Sequence, residues 1–259
     1  MVGQKKIKED ISLLLSKGKY PKFSIIVGLK GSGKKTLVSE LFSSVIQLED
    51  CKVDSIRKLI EMTYKLRDSV FLIADADNMS VTAQNAILKV AEECPNNNMI
   101  IMTLEDENNV LETIRSRATI FRMNRYTPDE IYEYARQWLN YTLHDDEWDI
   151  IKDVCETPGE VNTLGKYPNE FYDYVQLVVD NIAEVSLANV FKVPSKVSLK
   201  VDTEGYDLKL FWKAFMRICI KQHPTWSIIT SKYLRKLKVR GINRQMLIDC
   251  WLLEIREWT

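Results

Sequence analysis

The sequence predicts an α/β domain on a parallel sheet, followed by a small helical segment and an all-helical C-terminal region. In the first half, short apolar runs rich in β-branched residues alternate with segments of helical period, the pattern of parallel strands joined by crossover helices. Beyond about residue 123 the helical period dominates. We therefore predict domains at 1–122, 123–168 and 169–259.

The individual elements follow from apolar periodicity. Strands are predicted at 23–27, 69–77, 98–104 and 118–123, and helices between them at 35–45, 55–66 and 82–93. The first helix of the C-terminal helical part is predicted to begin after Thr127. Thr127 is its cap, Pro128 its first-turn proline and Glu130 its capping-box glutamate. Two prolines and two glycines in 157–168 predict a break between helical domains. The amphipathic segments 207–222 and 245–258 predict the core of a helical bundle, and a ligand pocket is the alternative.

A glycine-rich stretch, GLKGSGKKTL, follows the first predicted strand and precedes a helix. Its G-x-x-x-x-G-K pattern is typical of a phosphate-binding loop, in which backbone amides and a lysine surround phosphate groups. The alternative is a glycine-rich turn between two core elements. The predicted nucleotide-binding residues are Gly28, Gly31, Ser32, Gly33, Lys34, Lys35, Thr36 and Leu37.

One position departs from the phosphate-loop pattern. Lys35 stands where a Ser or Thr hydroxyl normally binds magnesium. Shifting the pattern by one residue, with Thr36 as the metal ligand, would put Lys34 where a glycine must let backbone approach the phosphates. The sequence leaves open whether the chain hydrolyses ATP, binds it without well-formed magnesium ligands, or keeps only the shape of the loop.

Composition and charge exclude several classes of protein. Hydrophobic residues make up 46% and charged residues 28% of the chain, and no apolar run approaches the ~20 residues of a membrane span. We expect a cytoplasmic protein without membrane association. The five cysteines form no C-x-x-C pair and there are two histidines, so we expect free thiols and no zinc or other metal site.

The charge is unevenly distributed along a chain of zero formal net charge. Residues 1–35 carry nine Lys/Arg and two Asp/Glu, 36–193 carry 14 and 28, and 194–259 carry 13 and six. Six of the basic residues lie in 232–245, around Tyr233. This segment is a candidate nucleic-acid surface, but we favour a solvated or partner-facing surface.

Several motifs resemble those of the AAA+ subunits of sliding-clamp loaders, most closely the delta-prime subunit of the bacterial DNA polymerase III clamp loader. They are VGQ at 2–4, KGKYPK at 17–22, GLKGSGKK at 28–35, FLIADADNMSVTAQNAILKVAEECP at 71–95, and VLETIRSRA at 110–118. The last is similar to the family's Ser-Arg-Cys motif, with Ala118 in place of cysteine. The likeness is continuous over residues 2–122 and thins towards 165.

The resemblance implies an AAA+ P-loop domain, a helical lid and a helical collar, in a hetero-oligomer with other clamp-loader subunits that acts on a sliding clamp and primer-template DNA in a bacterium or its virus. It implies that Arg117 is an arginine finger inserted into a neighbouring subunit's ATP site, and the alternative for this residue is a surface salt bridge after a helix. It places Thr103 near a sensor position, and places Ala74, Asp75 and Asn162 where hydrolysing members carry Asp, Glu and a lid arginine. The family's four-cysteine zinc module is absent from this sequence.

Two functions of other classes stay open. The chain could be a self-sufficient AAA+ ATPase, such as a motor-type clamp-loader subunit or helicase loader, that uses Asp75 and Thr36 in unusual roles. It could also be an interaction module that binds no nucleotide. Our leading interpretation is a delta-prime-type subunit with weak or absent hydrolysis of its own, which contributes Arg117 to the ATPase activity of a complex.

Overall fold

A computed structural model describes residues 3–138, 145–165, 168–184 and 207–258, except 238 and 240. The chain divides into two compact units, Met1–Glu130 and Ile131–Thr259. The second unit includes residues from both the predicted lid and the predicted collar. The division between those two at residue 168 stays a prediction.

The first unit contains a five-stranded parallel sheet. Its strands are β1 (Phe23–Val27), β2 (Val45–Gln47), β3 (Val70–Ile73), β4 (Met99–Leu104) and β5 (Thr119–Arg122), in the order β2-β3-β4-β1-β5. Four of these strands were predicted. The sequence analysis missed β2, because this edge strand has three residues, none of them fully buried, and therefore a weak apolar signal.

Helices cover both faces of this sheet. They are α1 (Lys5–Ser16), α2 (Lys34–Leu41), α3 (Val53–Lys65), α4 (Val81–Glu93) and α5 (Glu112–Arg115). Because strand side chains alternate between faces, Ile26, Leu72 and Ile101 pack with α1 and α2, whereas Ile25, Phe71 and Ile100 pack with α3, α4 and α5. The sheet is therefore buried on both sides, as expected for a parallel sheet.

Local capping sequences fix several helix ends. The Ser80 hydroxyl accepts a hydrogen bond from the Ala83 N–H at the start of α4. The predicted capping box at α6 (Pro128–Trp138) is confirmed, since the Thr127 N–H donates to the Glu130 carboxylate and the Glu130 N–H donates to the Thr127 hydroxyl. Helix α2 ends at Leu41, earlier than predicted, because the chain turns there towards β2.

The second unit is helical. Besides most of α6 it contains α7 (Asp145–Val154), α8 (Pro158–Leu164), α9 (Pro168–Glu184), α10 (Leu208–Gln222), α11 (Pro224–Lys236) and α12 (Arg244–Glu257). The prediction that 157–168 only interrupts helices was wrong, because Pro158 is the first residue of α8 and the Thr157 hydroxyl caps it. Among the described residues, no helix is long and apolar enough to cross a membrane.

Aromatic side chains form the core of the second unit. Phe211, Trp212 and Phe215 on α10 are buried against Trp226 of α11 and Trp251 of α12. The Trp251 indole N–H donates to the buried Thr230 hydroxyl at 2.9 Å. The predicted helical-bundle core of 207–222 and 245–258 is confirmed.

Candidate nucleotide site and exposed arginine

The phosphate loop, residues 28–33, has the backbone that its glycines predict. Gly31 and Gly33 have φ of 77° and 87°, in the left-handed region that side chains disfavour. A Cβ added to Gly28 would lie 2.9 Å from the Ser32 Oγ and 3.1 Å from the Met123 Cβ. The loop leads directly into α2, whose first-turn N–H groups have no intrahelical acceptor and can bind an anion.

The segment after β5 holds this loop from one side. The Tyr126 hydroxyl donates to the Ser32 carbonyl at 2.7 Å, and the Ser32 hydroxyl lies 3.5 Å from the Met123 Sδ. Just beyond Met123, the Gln4 amide and the Asn124 backbone exchange two hydrogen bonds, of 2.7 and 2.9 Å. The Ser32 side chain is therefore buried, and its backbone carbonyl and N–H are bonded to Tyr126 and to the Leu29 carbonyl.

The Lys34 ammonium lies inside the loop rather than in solvent. Its Nζ donates to the Gly28 carbonyl at 2.7 Å and to the Leu29 carbonyl at 3.0 Å, and the side chain is 6% exposed. Burial lowers the pKa of Lys34, and the carboxylates of Glu105, Asp75 and Asp77 oppose that shift. The two residues that follow Lys35 differ in exposure, since Thr36 faces solvent and Leu37 is fully buried in the core.

An ion pair joins the first turn of α2 to the residue that follows Ala74 after β3. The Lys35 Nζ is 2.7 Å from the Asp75 Oδ2, and both side chains are about half exposed, at 48% and 55%. The preceding residue, Ala74, has no side-chain oxygen. Among the described residues, no group of three or more His, Cys, Asp or Glu is arranged to hold a metal ion. A lysine cation thus neutralises the carboxylate that follows β3.

Thr103 joins the ends of β3 and β4. It is fully buried, and its hydroxyl accepts the Asp75 N–H at 3.0 Å. This bond supports the left-handed conformation of Asp75, whose φ is 52°. The predicted sensor residue therefore contacts the backbone of the ion-paired aspartate.

Asp77 was missed as a site residue by the sequence analysis, which read it only as an acid at the end of a strand. Its carboxylate accepts hydrogen bonds from the backbone N–H groups of Glu105 and Asp106 and from the Asn109 amide. It thereby holds the loop after β4 against the turn after β3. A local sequence signal could not reveal this role, because the partners are about 30 residues away.

Asn162, at the predicted lid position, lies on α8 in the second unit. Its side-chain oxygen accepts the Tyr134 hydroxyl of α6 at 3.0 Å. The residue is an amide, so it carries no charge to place on a phosphate group.

Arg117 lies just before β5 and its guanidinium is bound by two elements. Its Nε donates to the Glu92 Oε2 of α4 at 3.0 Å, and its Nη1 donates to the Thr113 carbonyl of α5 at 3.0 Å. The side chain remains 36% exposed. It is therefore anchored at the surface.

The strand register places Arg117 near the amino ends of the strands and the phosphate loop at their carboxyl ends. Thr119, two residues after Arg117, is level with Ser24 at the start of β1, whereas the loop follows Val27 at the end of β1. At about 3.3 Å per residue, roughly 13 Å of strand separates the two levels. Arg117 and the phosphate loop of the same chain therefore lie at opposite ends of strand β1 and its neighbour β5.

The first unit carries the segment that matches a known protein family. The family described as DNA polymerase III, delta subunit, matches residues 44–127, which include β2 to β5 and Arg117. DNA polymerase III subunit gamma of Buchnera aphidicola (from Schizaphis graminum) is 26% identical, and the match covers 54% of this chain and 48% of that protein.

Two further relatives have similar coverage. The sliding-clamp-loader large subunit of Escherichia phage RB69 is 25% identical, covering 51% of this chain and 45% of the phage protein. Replication factor C subunit 4 of Schizosaccharomyces pombe is 22% identical, with 51% and 44% covered. The chain thus spans about half the length of the relatives that it matches.

Solved structures show the same fold at lower identity. A DNA polymerase III gamma subunit-related protein of Thermotoga maritima superposes with a TM-score of 0.57 at 16% identity, covering 97% of this chain and 99% of that one. The RuvB Holliday junction branch migration motor of the same organism gives a TM-score of 0.52 at 17% identity, covering 86% and 78%. The chain is therefore similar in sequence to clamp-loader subunits and to the DNA polymerase III delta subunit family, and it has the fold of AAA+ proteins.

Proposed function

We propose that this chain is a clamp-loader subunit of delta-prime type in DNA replication. In this proposal it does not hydrolyse ATP at its own phosphate loop, and it supplies Arg117 to the ATP site of a neighbouring subunit. The observation that carries the proposal is the Lys35–Asp75 ion pair, at 2.7 Å, in the place of a magnesium site. The partners are other clamp-loader subunits and, through the complex, a sliding clamp and primer-template DNA in the cytoplasm.

The ion pair disfavours magnesium for two physical reasons. Magnesium requires oxygen ligands in near-octahedral geometry, and neither the Lys35 ammonium nor the Ala74 methyl group offers an oxygen. The ammonium also repels a divalent cation and neutralises Asp75, the carboxylate at the position of the expected general base. Phosphoryl transfer depends on metal and water positioning, so the loop lacks the means to accelerate it.

The position of Arg117 supports action on a neighbouring subunit. The Arg117 guanidinium lies near the amino ends of the strands, too far from the phosphate loop of the same chain to contact a ligand there. It is exposed, and its bonds to Glu92 and Thr113 already fix its orientation. In other NTPases an arginine supplied in trans is worth about 10³ to 10⁵ in rate. The chain can therefore lose its own metal site and remain necessary for ATP hydrolysis by a complex.

The isolated chain tests the first half of the proposal. We would measure ATP binding and hydrolysis with magnesium and with EDTA, for the native chain, for Lys34→Ala, and for the double variant Lys35→Thr/Ala74→Asp. We expect no turnover by the native chain, and any ATP binding should be independent of magnesium. The double variant restores a hydroxyl and a carboxylate, so its ATP binding should become dependent on magnesium.

The assembled complex tests the second half. Arg117→Ala should lower ATP hydrolysis and clamp loading while leaving assembly intact. Arg57→Ala is the matched control, because Arg57 is also an exposed arginine in an ion pair, with Asp54 on α3. Equal activity of the Arg117→Ala and Arg57→Ala complexes would contradict the finger role.

A self-sufficient AAA+ ATPase is the second candidate function. Two observations favour it: the phosphate loop keeps its glycine backbone and buried lysine, and the relatives include gamma subunits. Magnesium-dependent turnover by the isolated chain, abolished by Lys34→Ala, would establish this candidate in place of the delta-prime role. Absence of any ATP binding, together with an unchanged activity of the Arg117→Ala complex, would favour an interaction module.

A further inference from the structure

The anchoring of the Arg117 guanidinium suggests a role for its carboxylate partner. The guanidinium has five N–H donors. The Nε–H donates to the Glu92 carboxylate, and one N–H of Nη1 donates to the Thr113 carbonyl. Within the described residues, Nη2 donates to no acceptor. The Nη2 group can therefore still meet a phosphate, while Nε and Nη1 are held by these two bonds.

Both anchors belong to well-packed helices. Glu92 is on the last turn of α4, where the adjoining Val90 and Ala91 are buried in the core. Thr113 is on α5, next to the fully buried Ile114. The guanidinium is thus held by two helices that pack on the core of the first unit.

We propose that Glu92 is a positioning residue for Arg117: its carboxylate holds the guanidinium in the orientation that a neighbouring subunit's ATP site uses. This inference rests on the proposed function of Arg117. Glu92 touches no reacting atom in this scheme, and it acts only through the arginine. A free arginine side chain samples many rotamers, so fixing it beforehand removes an entropic barrier to productive contact.

If the Glu92–Arg117 pair only stabilised the fold, loss of Glu92 would lower the stability of the isolated chain. Glu92 is 65% exposed and Arg117 is 36% exposed, and ion pairs at such sites contribute little to stability. Loss of Glu92 should therefore leave the unfolding midpoint of the isolated chain unchanged. Any effect on the complex would then come from the arginine's position rather than from a weakened fold.

The test is a double-mutant cycle in the assembled complex, with kcat and KM for ATP measured separately. The variants are Glu92→Ala, Arg117→Ala and their combination, together with Glu92→Gln. Glu93→Ala is the matched control, because the neighbouring Glu93 carboxylate accepts the Tyr64 hydroxyl at 3.4 Å and does not contact Arg117.

We expect Glu92→Ala to reduce, by about tenfold, the part of kcat that Arg117 supplies, with KM unchanged, because misplacement by about 1 Å can cost up to 10²-fold in rate. In the Arg117→Ala background, Glu92→Ala should have no further effect. Glu92→Gln keeps an oxygen acceptor for the Nε donor and should retain most of the activity. Glu93→Ala should behave like the native complex.

The outcomes separate this inference from the proposed function. If Arg117→Ala itself has no effect, the finger role is wrong and the inference falls with it. If Arg117→Ala lowers kcat but Glu92→Ala does not, only the positioning role is overturned. An equal loss from Glu92→Ala with and without Arg117 would also overturn it, because Glu92 would then act by another route.

Discussion

A partly buried cluster of charges in the second unit leads to a quantitative stability prediction. The Glu160 cluster consists of Glu160 and Glu156 near the start of α8 and of Lys209 and Lys213 on α10. The Glu160 carboxylate is 2.7 Å from the Lys209 Nζ and 3.1 Å from the Lys213 Nζ, and it also accepts the Glu156 N–H at 2.7 Å. The perturbation is Glu160→Ala.

The magnitude follows from the exposure of the partners. The side chains of Glu160 and Lys213 are each 11% exposed, and removing one member of a buried pair costs about 3–5 kcal/mol. The loss is moderated here, because Lys209 is 35% exposed and Lys213 keeps Glu156 at 2.7 Å. We therefore expect Glu160→Ala to lower the free energy of unfolding by about 2–3 kcal/mol.

Glu156→Ala is the matched control. Glu156 binds the same Lys213 ammonium at the same 2.7 Å, but its side chain is 49% exposed. The expected loss is below about 1 kcal/mol, because solvent screens an exposed pair. The two variants share the Lys213 partner and differ in burial and in the additional bonds of Glu160 to Lys209 and to the Glu156 N–H.

Tryptophan fluorescence during urea unfolding is a suitable assay. All six tryptophans of the chain lie in the second unit, so their emission follows the unfolding of that unit alone. The midpoint and slope give the change in free energy. If Glu160→Ala is no more destabilising than Glu156→Ala, the burial and the extra bonds of Glu160 do not set the strength of this cluster, and the reasoning is refuted.

Three further predictions concern backbone strain, thiols and pH. Gly28→Ala should destabilise the first unit by about 1–3 kcal/mol in urea unfolding followed by circular dichroism, because its Cβ would crowd the loop. Gly18→Ala isolates the other cost, because its Cβ would meet no atom within 4 Å and its φ of +62° alone should cost about 1–2 kcal/mol. An unchanged free energy of unfolding for Gly28→Ala would contradict the crowding argument. An aromatic disulfide reagent should label Cys250 first in the native chain, because it is the exposed thiol while three others are buried; equal labelling of all five would be inconsistent with the fold. Burial raises the pKa of the Cys94 thiol from 9.0 to about 11. Its contribution to the free energy of unfolding is therefore complete below pH 9 and is lost as the pH rises towards 11. Cys94→Ala should reduce this loss of stability between pH 9 and 11.

The sequence by itself determined the features that depend on neighbouring residues. The strand, glycine loop and helix around Gly28 to Leu37 are local, and so is the capping box of Thr127 and Glu130. The absence of a hydroxyl at Lys35 and of an oxygen at Ala74 is visible from residue identity alone. Periodicity, turn preference and side-chain chemistry all act over a few residues, so they can be assigned before any fold is known.

Only the tertiary structure decided which of these residues meet. Lys35 and Asp75 are 40 residues apart in sequence and pair because β1 and β3 both end at the same edge of the sheet. The order β2-β3-β4-β1-β5 and its register put Arg117 at the opposite edge, beside Glu92. Such contacts depend on strand order, register and helix packing, which no local pattern encodes. The sequence therefore showed which side-chain oxygens the phosphate loop and the end of β3 lack, whereas the fold decided that Lys35 pairs with Asp75 and that Arg117 lies at the other end of the sheet.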